Sequence, residues 1–224
     1  MTAVFRFGVR GRLRFLSHAE TMRVFCRAFA RAGIALEYSS GFNPHPRLSL
    51  PLPRSVGVET EDDLLCVRIR PGDTEDERGE GLPSACFAKR LRERLCEQLP
   101  AGIELLSVEV AAGRAGFEPR LVTYVVEVRR QYVGENLRAA VNRLPAAESL
   151  HVLRKTDARG SLREVDVRAF IKSVRIEGER ITAECVVGSA GTIRVGEILE
   201  LLGLDSDKLA GPVARRKVLW HRKN

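Results

Sequence analysis

Two short runs hold most of the side chains that could do chemistry: Ser17-His18, and Gly41-Phe42-Asn43-Pro44-His45-Pro46. Ser17-His18-Ala19-Glu20 has the form of a capping box at a helix start, with Ser17 as cap and Glu20 reaching back. Free N–H groups and the positive end of the helix dipole suit such a place to an anion. His18 adds a donor to a phosphate there, or an acid or base near neutral pH. A plain reading stands beside this one, in which Ser17 only caps and His18 is an exposed first-turn residue. In the second run, prolines two apart stiffen the loop and push Asn43 and His45 toward extended geometry. Gly41 permits a positive φ before them. A stiff loop presenting Asn, His and an aromatic ring suits recognition, unless Phe42 plugs the core and the prolines shape a crossover. His18 and His45 flank one helix–strand unit and could meet in space.

Arginines surround these runs. Arg23, Arg27 and Arg31 recur every four residues, and Arg6, Arg10, Arg12 and Arg14 precede them. With Phe42 or Tyr38 this suits RNA or a nucleotide, arginine on phosphate and rings stacked on bases. No RNP-type aromatic pattern or GXXG loop accompanies them. The candidate substrate-binding set is therefore Ser17, His18, Arg23, Phe42, Asn43, His45, Arg10 and Arg14, with no catalytic residue assigned. No metal site or cofactor is expected. Two histidines without a nearby acid or thiol make a poor ligand set, and Cys26, Cys66, Cys86, Cys96 and Cys185 are scattered, as small buried hydrophobes would be. Gly188-Ser-Ala-Gly191-Thr192 lacks the Gly-Lys-Ser/Thr ending of a phosphate loop and reads as a turn. Asp166 and Arg168 read as a strand-borne ion pair without chemistry.

The charge is uneven. The chain carries 31 Arg against 6 Lys and a net +8, a balance that favours polyanionic partners. Residues 1–56 hold nine Arg against two acids, and residues 57–83 hold three Arg against nine acids. Residues 205–224 are again basic.

Several elements must position these groups. Residues 4–10 alternate as a half-buried strand, with Val4, Arg6, Gly8 and Arg10 outward and Phe5, Phe7 and Val9 inward. A helix follows from Ser17 to about Ala32, stopped by Gly33. Strands are expected over 34–38 and 64–70, with an extended stretch over 47–53. An acidic connection over 71–83 leads to a helix capped by Ser84, and a strand over 103–110 closes the set. The order β-α-β-β-α-β is that of a ferredoxin-like unit in an α+β protein. After a boundary at 111–119 comes a second small α+β unit. It has strands over 122–129, 150–154, 165–176 and 180–187, and helices over 134–144 and 195–202. The expected division is 1–112, 120–204 and a basic C-terminal tail, 205–224. The absence of a membrane-length apolar run or signal-peptide pattern implies a cytoplasmic protein with no membrane partner.

The wording Arg14-Phe15-Leu16-Ser17-His18, Arg27-Ala28-Phe29-Ala30-Arg31-Ala32-Gly33, Gly41–Pro46 and Val56-Gly57-Val58-Glu59 resembles a radical-SAM-linked family of uncharacterised bacterial proteins. The resemblance is dense through residues 4–70 and looser after them, at Val165–Arg168 and Gly191–Arg194. It departs at Glu20, where the family has aspartate. It implies a protein fused to, or encoded beside, a radical SAM protein, often near an RNase E/G-type ribonuclease, and so a helper in RNA modification whose radical chemistry belongs to the partner.

Three functional expectations follow. The first is a module presenting RNA or another anionic substrate to a radical SAM protein. The second is an enzyme using His18 or His45 as acid or base on a phosphate-bearing substrate. The third is a protein-interaction domain in which the acidic stretch 57–83 docks a basic partner.

Overall fold

The computed structural model describes residues 1–70, 84–111, 113, 115–155 and 161–223. It is a mixed α+β structure whose sheets pair antiparallel wherever the register is defined. The chain forms two compact units, Met1–Glu118 with Trp220–Asn224, and Pro119–Leu219.

The first unit comprises β1 (Thr2–Val9), α1 (His18–Arg31), β2 (Leu48–Ser49), β3 (Glu59–Arg68), α2 (Ser84–Cys96) and β4 (Ile103–Ala111). Its strands lie in the order β4-β1-β3-β2. Phe5, Phe7 and Val9 point to the helix side, as the alternation predicts. Phe5 meets Phe29 edge-on at 5.3 Å and Phe7 meets Phe25 at 4.7 Å between ring centroids. Phe87, Leu91 and Leu95, spaced by four on α2, close the same core. Aromatic residues of this kind cost about 3–5 kcal/mol when truncated, so they set the position of α1 against β1 and β3. Arg94 of α2 ties down the far end of α1 by donating to the carbonyls of Ala32 and Gly33 at 2.9 and 2.6 Å. A cation there complements the helix dipole.

Some local expectations need correction. The outer face of β1 is covered at Val4, which packs with Leu64 and Cys66 beneath Ala115, Phe117 and Trp220, while Arg6 on the same face stays exposed. Residues 34–38 form no strand and contribute only single bridges, Leu36 to Ile69 and Tyr38 to Pro46. The strand role falls instead to Leu48–Ser49, paired with Val67 and Cys66. Ser84 is the first described residue of α2, and the connection expected over 71–83 lies outside the described residues. Residues 11–15 make a 3-10 turn.

The second unit contains β5 (Gly116–Glu127, which begins in the first unit), α3 (Glu135–Ala146), β6 (His151–Lys155), β7 (Leu162–Asp166), β8 (Ile171–Glu177), β9 (Arg180–Val186) and α4 (Val195–Leu201). The expected basic tail is in part a strand, β10 (Ala214–Lys223), giving the order β10-β5-β9-β8. Its early part belongs to this unit, where Arg215 and Val218 are buried, and its end, from Trp220, belongs to the first unit, where Trp220 packs on Val4, Leu64 and Cys66. β6 and β7 form a separate two-stranded hairpin. The single strand expected over 165–176 is broken at Val167–Phe170. There the Asp166 carboxylate accepts the N–H groups of Leu150 and Arg168 at 2.9 Å each. Those backbone donors hold its carboxyl below the usual range. Arg168 in turn donates to the carbonyls of Pro145, Ala147 and Ile171. The pair is thus a staple for a chain reversal.

Candidate functional site

At the start of α1 the chain supplies its own anion. The Ser17 hydroxyl accepts the Glu20 N–H at 3.3 Å, and the Glu20 carboxylate accepts the Ser17 N–H at 2.9 Å and the Ser17 hydroxyl at 2.7 Å. The Ser17 hydroxyl and then its N–H hold the Glu20 carboxyl below its ordinary range, so it is a carboxylate at neutral pH. Glu20 thus takes the Ser17 hydroxyl and N–H that an external anion at this helix start would otherwise meet. His18 lines a crevice of about 10 Å³ with Thr21, Leu50, Leu52, Arg54 and Asp63. That volume suffices for one water at most.

The loop at 41–46 is built differently. Its base is clasped from both strands: Ser39 N–H donates to the His45 carbonyl at 2.8 Å, and the His45 N–H to the Ser39 hydroxyl at 3.0 Å. Arg47 N–H donates to the Glu37 carbonyl at 2.7 Å. Gly41 has φ of +126°, the conformation for which the sequence keeps a glycine. Above the clasp, Asn43 and His45 are exposed, and Phe42 is at 111% of its reference exposure, so it plugs no core. Tyr38 beside the clasp is also exposed, at 47%.

His18 and His45 do not converge. His18 shares its crevice with Asp63, whereas the clasp that carries His45 is registered to Arg68 through the Glu37 N–H. Five strand residues separate those levels, roughly 17 Å.

The arginines divide as well. Arg10 pairs with Glu61 at 3.4 Å and Arg14 with Glu59 at 3.9 Å, while Arg6 pairs with Asp62 at 3.1 Å. The antiparallel register of β1 on β3 brings the early arginines and the acidic start of β3 side by side, so Glu59–Asp62 is engaged within its own unit. Arg14 also lies 4.4 Å from the Phe15 ring centroid. On α1, Arg23 donates back to the Ala19 carbonyl and Arg31 to Gln98, and Arg27 is exposed.

Sequence reasoning missed the groups that flank the loop. A cleft of about 400 Å³ is lined by Thr2, Arg47, Ser49, Cys66, Arg68 and Gly116, among others. Arg68 donates to Glu37 at 3.0 Å and to the Gly113 carbonyl at 2.9 Å, and Arg47 lies 3.5 Å from the same Glu37 carboxylate. The Arg68 hydrogen bond holds the Glu37 carboxyl below its usual range. One carboxylate thus faces two guanidinium groups. Burial pushes the Cys66 thiol up to about 11, so at neutral pH it is a neutral thiol rather than a nucleophilic thiolate. Cys26, Cys66 and Cys185 are at least partly buried, but Cys86 and Cys96 are exposed, unlike the uniform burial expected. The available signal was the run Pro46-Arg47 with Val67-Arg68-Ile69-Arg70, two segments able to pair with arginines level.

Against this geometry, the chain belongs to a family described as uncharacterized proteins conserved in bacteria, DUF2344, whose model matches residues 3–195. Comparison with curated proteins finds none that matches.

Proposed function

We propose that this chain is a binding module for RNA, working from the loop 41–46 and the arginine-lined cleft beside it, and that it serves a radical SAM protein which carries the chemistry. The observation that carries the RNA reading is the Phe42 ring. A phenylalanine wholly outside the core, on a loop clasped at its base and stiffened by two prolines, is a surface on which a base can stack. Arg47 and Arg68 stand at the foot of that loop with a single carboxylate between them, leaving positive charge for phosphates. His45 and Asn43 add exposed hydrogen-bonding groups of the kind that read base edges. The radical SAM association rests on the resemblance in residues 4–70.

The test is a gel shift with tRNA and rRNA fragments at about 50 and about 200 mM salt. Retention at low salt that weakens at high salt, and that is lost on Phe42→Ala with Arg47→Ala, supports the reading. A wild-type chain that shifts no RNA at low salt ends it. Mixing the chain with a radical SAM protein encoded beside it, and measuring association by analytical ultracentrifugation, tests the partner separately.

A further inference from the structure

The second unit carries a basic pocket that the loop-centred reading leaves unused. It lies against the β6–β7 hairpin and the Thr192–Arg194 turn, with a volume of about 410 Å³, and Arg154, Lys155, Arg163 and Arg194 line it with Glu164 and Asp166. Arg154 and Arg163 are direct cross-strand partners and so share one face of the hairpin. Like charges directly opposite destabilise a strand pair. Among the described residues, only Arg154 of the two is neutralised. Arg154 donates to both oxygens of Glu197, at 2.7 and 2.8 Å, and to the Thr192 carbonyl at 2.8 Å. Glu197, 8% exposed, also accepts the Arg194 N–H at 2.8 Å, so its lone pairs are committed. Asp166 is engaged by the backbone of Leu150 and Arg168, and Glu164 stands opposite Leu153, out of step with the Arg154–Arg163 pair. Among the described residues, Lys155 and Arg163 make no ion pair.

We propose that this pocket is a phosphate site, in which Arg163 and Arg194 bind a phosphate or diphosphate group beside the fixed guanidinium of Arg154. A doubly charged anion compensates the guanidinium of Arg163, whose fork of donors matches its oxygens. The site is independent of the loop at 41–46, and it stands or falls whether or not that loop binds RNA.

The experiment titrates the full chain with pyrophosphate by calorimetry and repeats it on Arg163→Glu, Arg163→Gln and Arg130→Glu. Arg130 is an exposed arginine of the same unit outside the pocket, so its variant makes the same change in net charge. Saturable binding is expected, weakened about tenfold or more by either Arg163 substitution and unchanged by Arg130→Glu. The melting temperature of both Arg163 variants should stay near the wild-type value, as for other exposed substitutions. A misfolded variant would lower it. Competition with oligouridylate separates two sources of the phosphate: displacement assigns the pocket to an RNA backbone, and unaffected pyrophosphate binding assigns it to a small ligand. No saturable binding of either probe, or equal weakening by Arg130→Glu and Arg163→Glu, overturns the proposal.

Discussion

The two motifs of the first unit answer the same question in opposite ways. At Ser17–Glu20 the chain fills its own anion position, because Glu20 is within reach of both the Ser17 hydroxyl and the Ser17 N–H. At 41–46 the hydrogen bonds stop at the clasp, and the ring, amide and imidazole beyond it face solvent. A cluster of polar residues marks either a backbone end that needs partners or a surface that offers them. Which it is depends on whether a counter-group arrives from within the fold. The second unit repeats the contrast on one hairpin face, where Arg154 is closed by Glu197 and Arg163, directly opposite, makes no ion pair among the described residues.

Breaking a closed pair should cost most. Burial raises the Glu197 carboxyl, but the Arg154 guanidinium and the Arg194 N–H outweigh it and hold the group below its ordinary range. Glu197→Ala strands Arg154 at a largely buried position and is expected to destabilise the second unit by about 3 kcal/mol in urea unfolding. A loss under about 1 kcal/mol would mean that Arg154 is as open as Arg163. Opening the comparison from its other side, Phe42→Ala should leave stability within about 0.5 kcal/mol. The same variant should weaken RNA retention by about 1–3 kcal/mol, the usual worth of one stacked base. Stability that falls while RNA retention holds would turn Phe42 into a packing residue.

The elements were legible wherever periodicity or a cap spoke alone. Phe25 and Phe29 at i, i+4, the Ser17–Glu20 box and the stop at Gly33 place α1 within a residue or two. What escaped depended on register. The pairing of Arg10 and Arg14 with the acids of β3 requires knowing that β1 lies antiparallel on β3, and the run of charges reads as an exposed basic surface without it. The covered outer face of β1 needs Trp220, more than two hundred residues away. A strand is expected over 34–38, yet backbone bonds to Arg68 and Arg70 with Pro46 across the clasp leave only bridges. Of the candidate site, the stiff loop could be read, but whether Phe42 faces solvent or plugs the core could not. The Arg47–Glu37–Arg68 cluster could not, because its members come from three separate segments.

Ser17→Ala should have a smaller effect, about 1 kcal/mol of stability, the usual value of a helix cap, with RNA retention unchanged. The smallest effect is the pH dependence of that loss. Glu20 is a carboxylate whose pKa in the folded chain lies below its ordinary 4.5, chiefly through the Ser17 hydroxyl and then the Ser17 N–H. A depressed carboxyl contributes stability above its unfolded pKa and loses that contribution as pH falls through the folded value. The Ser17 hydroxyl is its main partner, so the melting-temperature gap between wild type and Ser17→Ala should be widest at neutral pH and narrow toward about pH 3. Thermal melts of the two chains at matched ionic strength read this directly. A gap that stays constant would mean that Ser17 caps through the Glu20 N–H alone. The carboxylate would then be free to leave the helix start, and that end of α1 would join the loop as an open site.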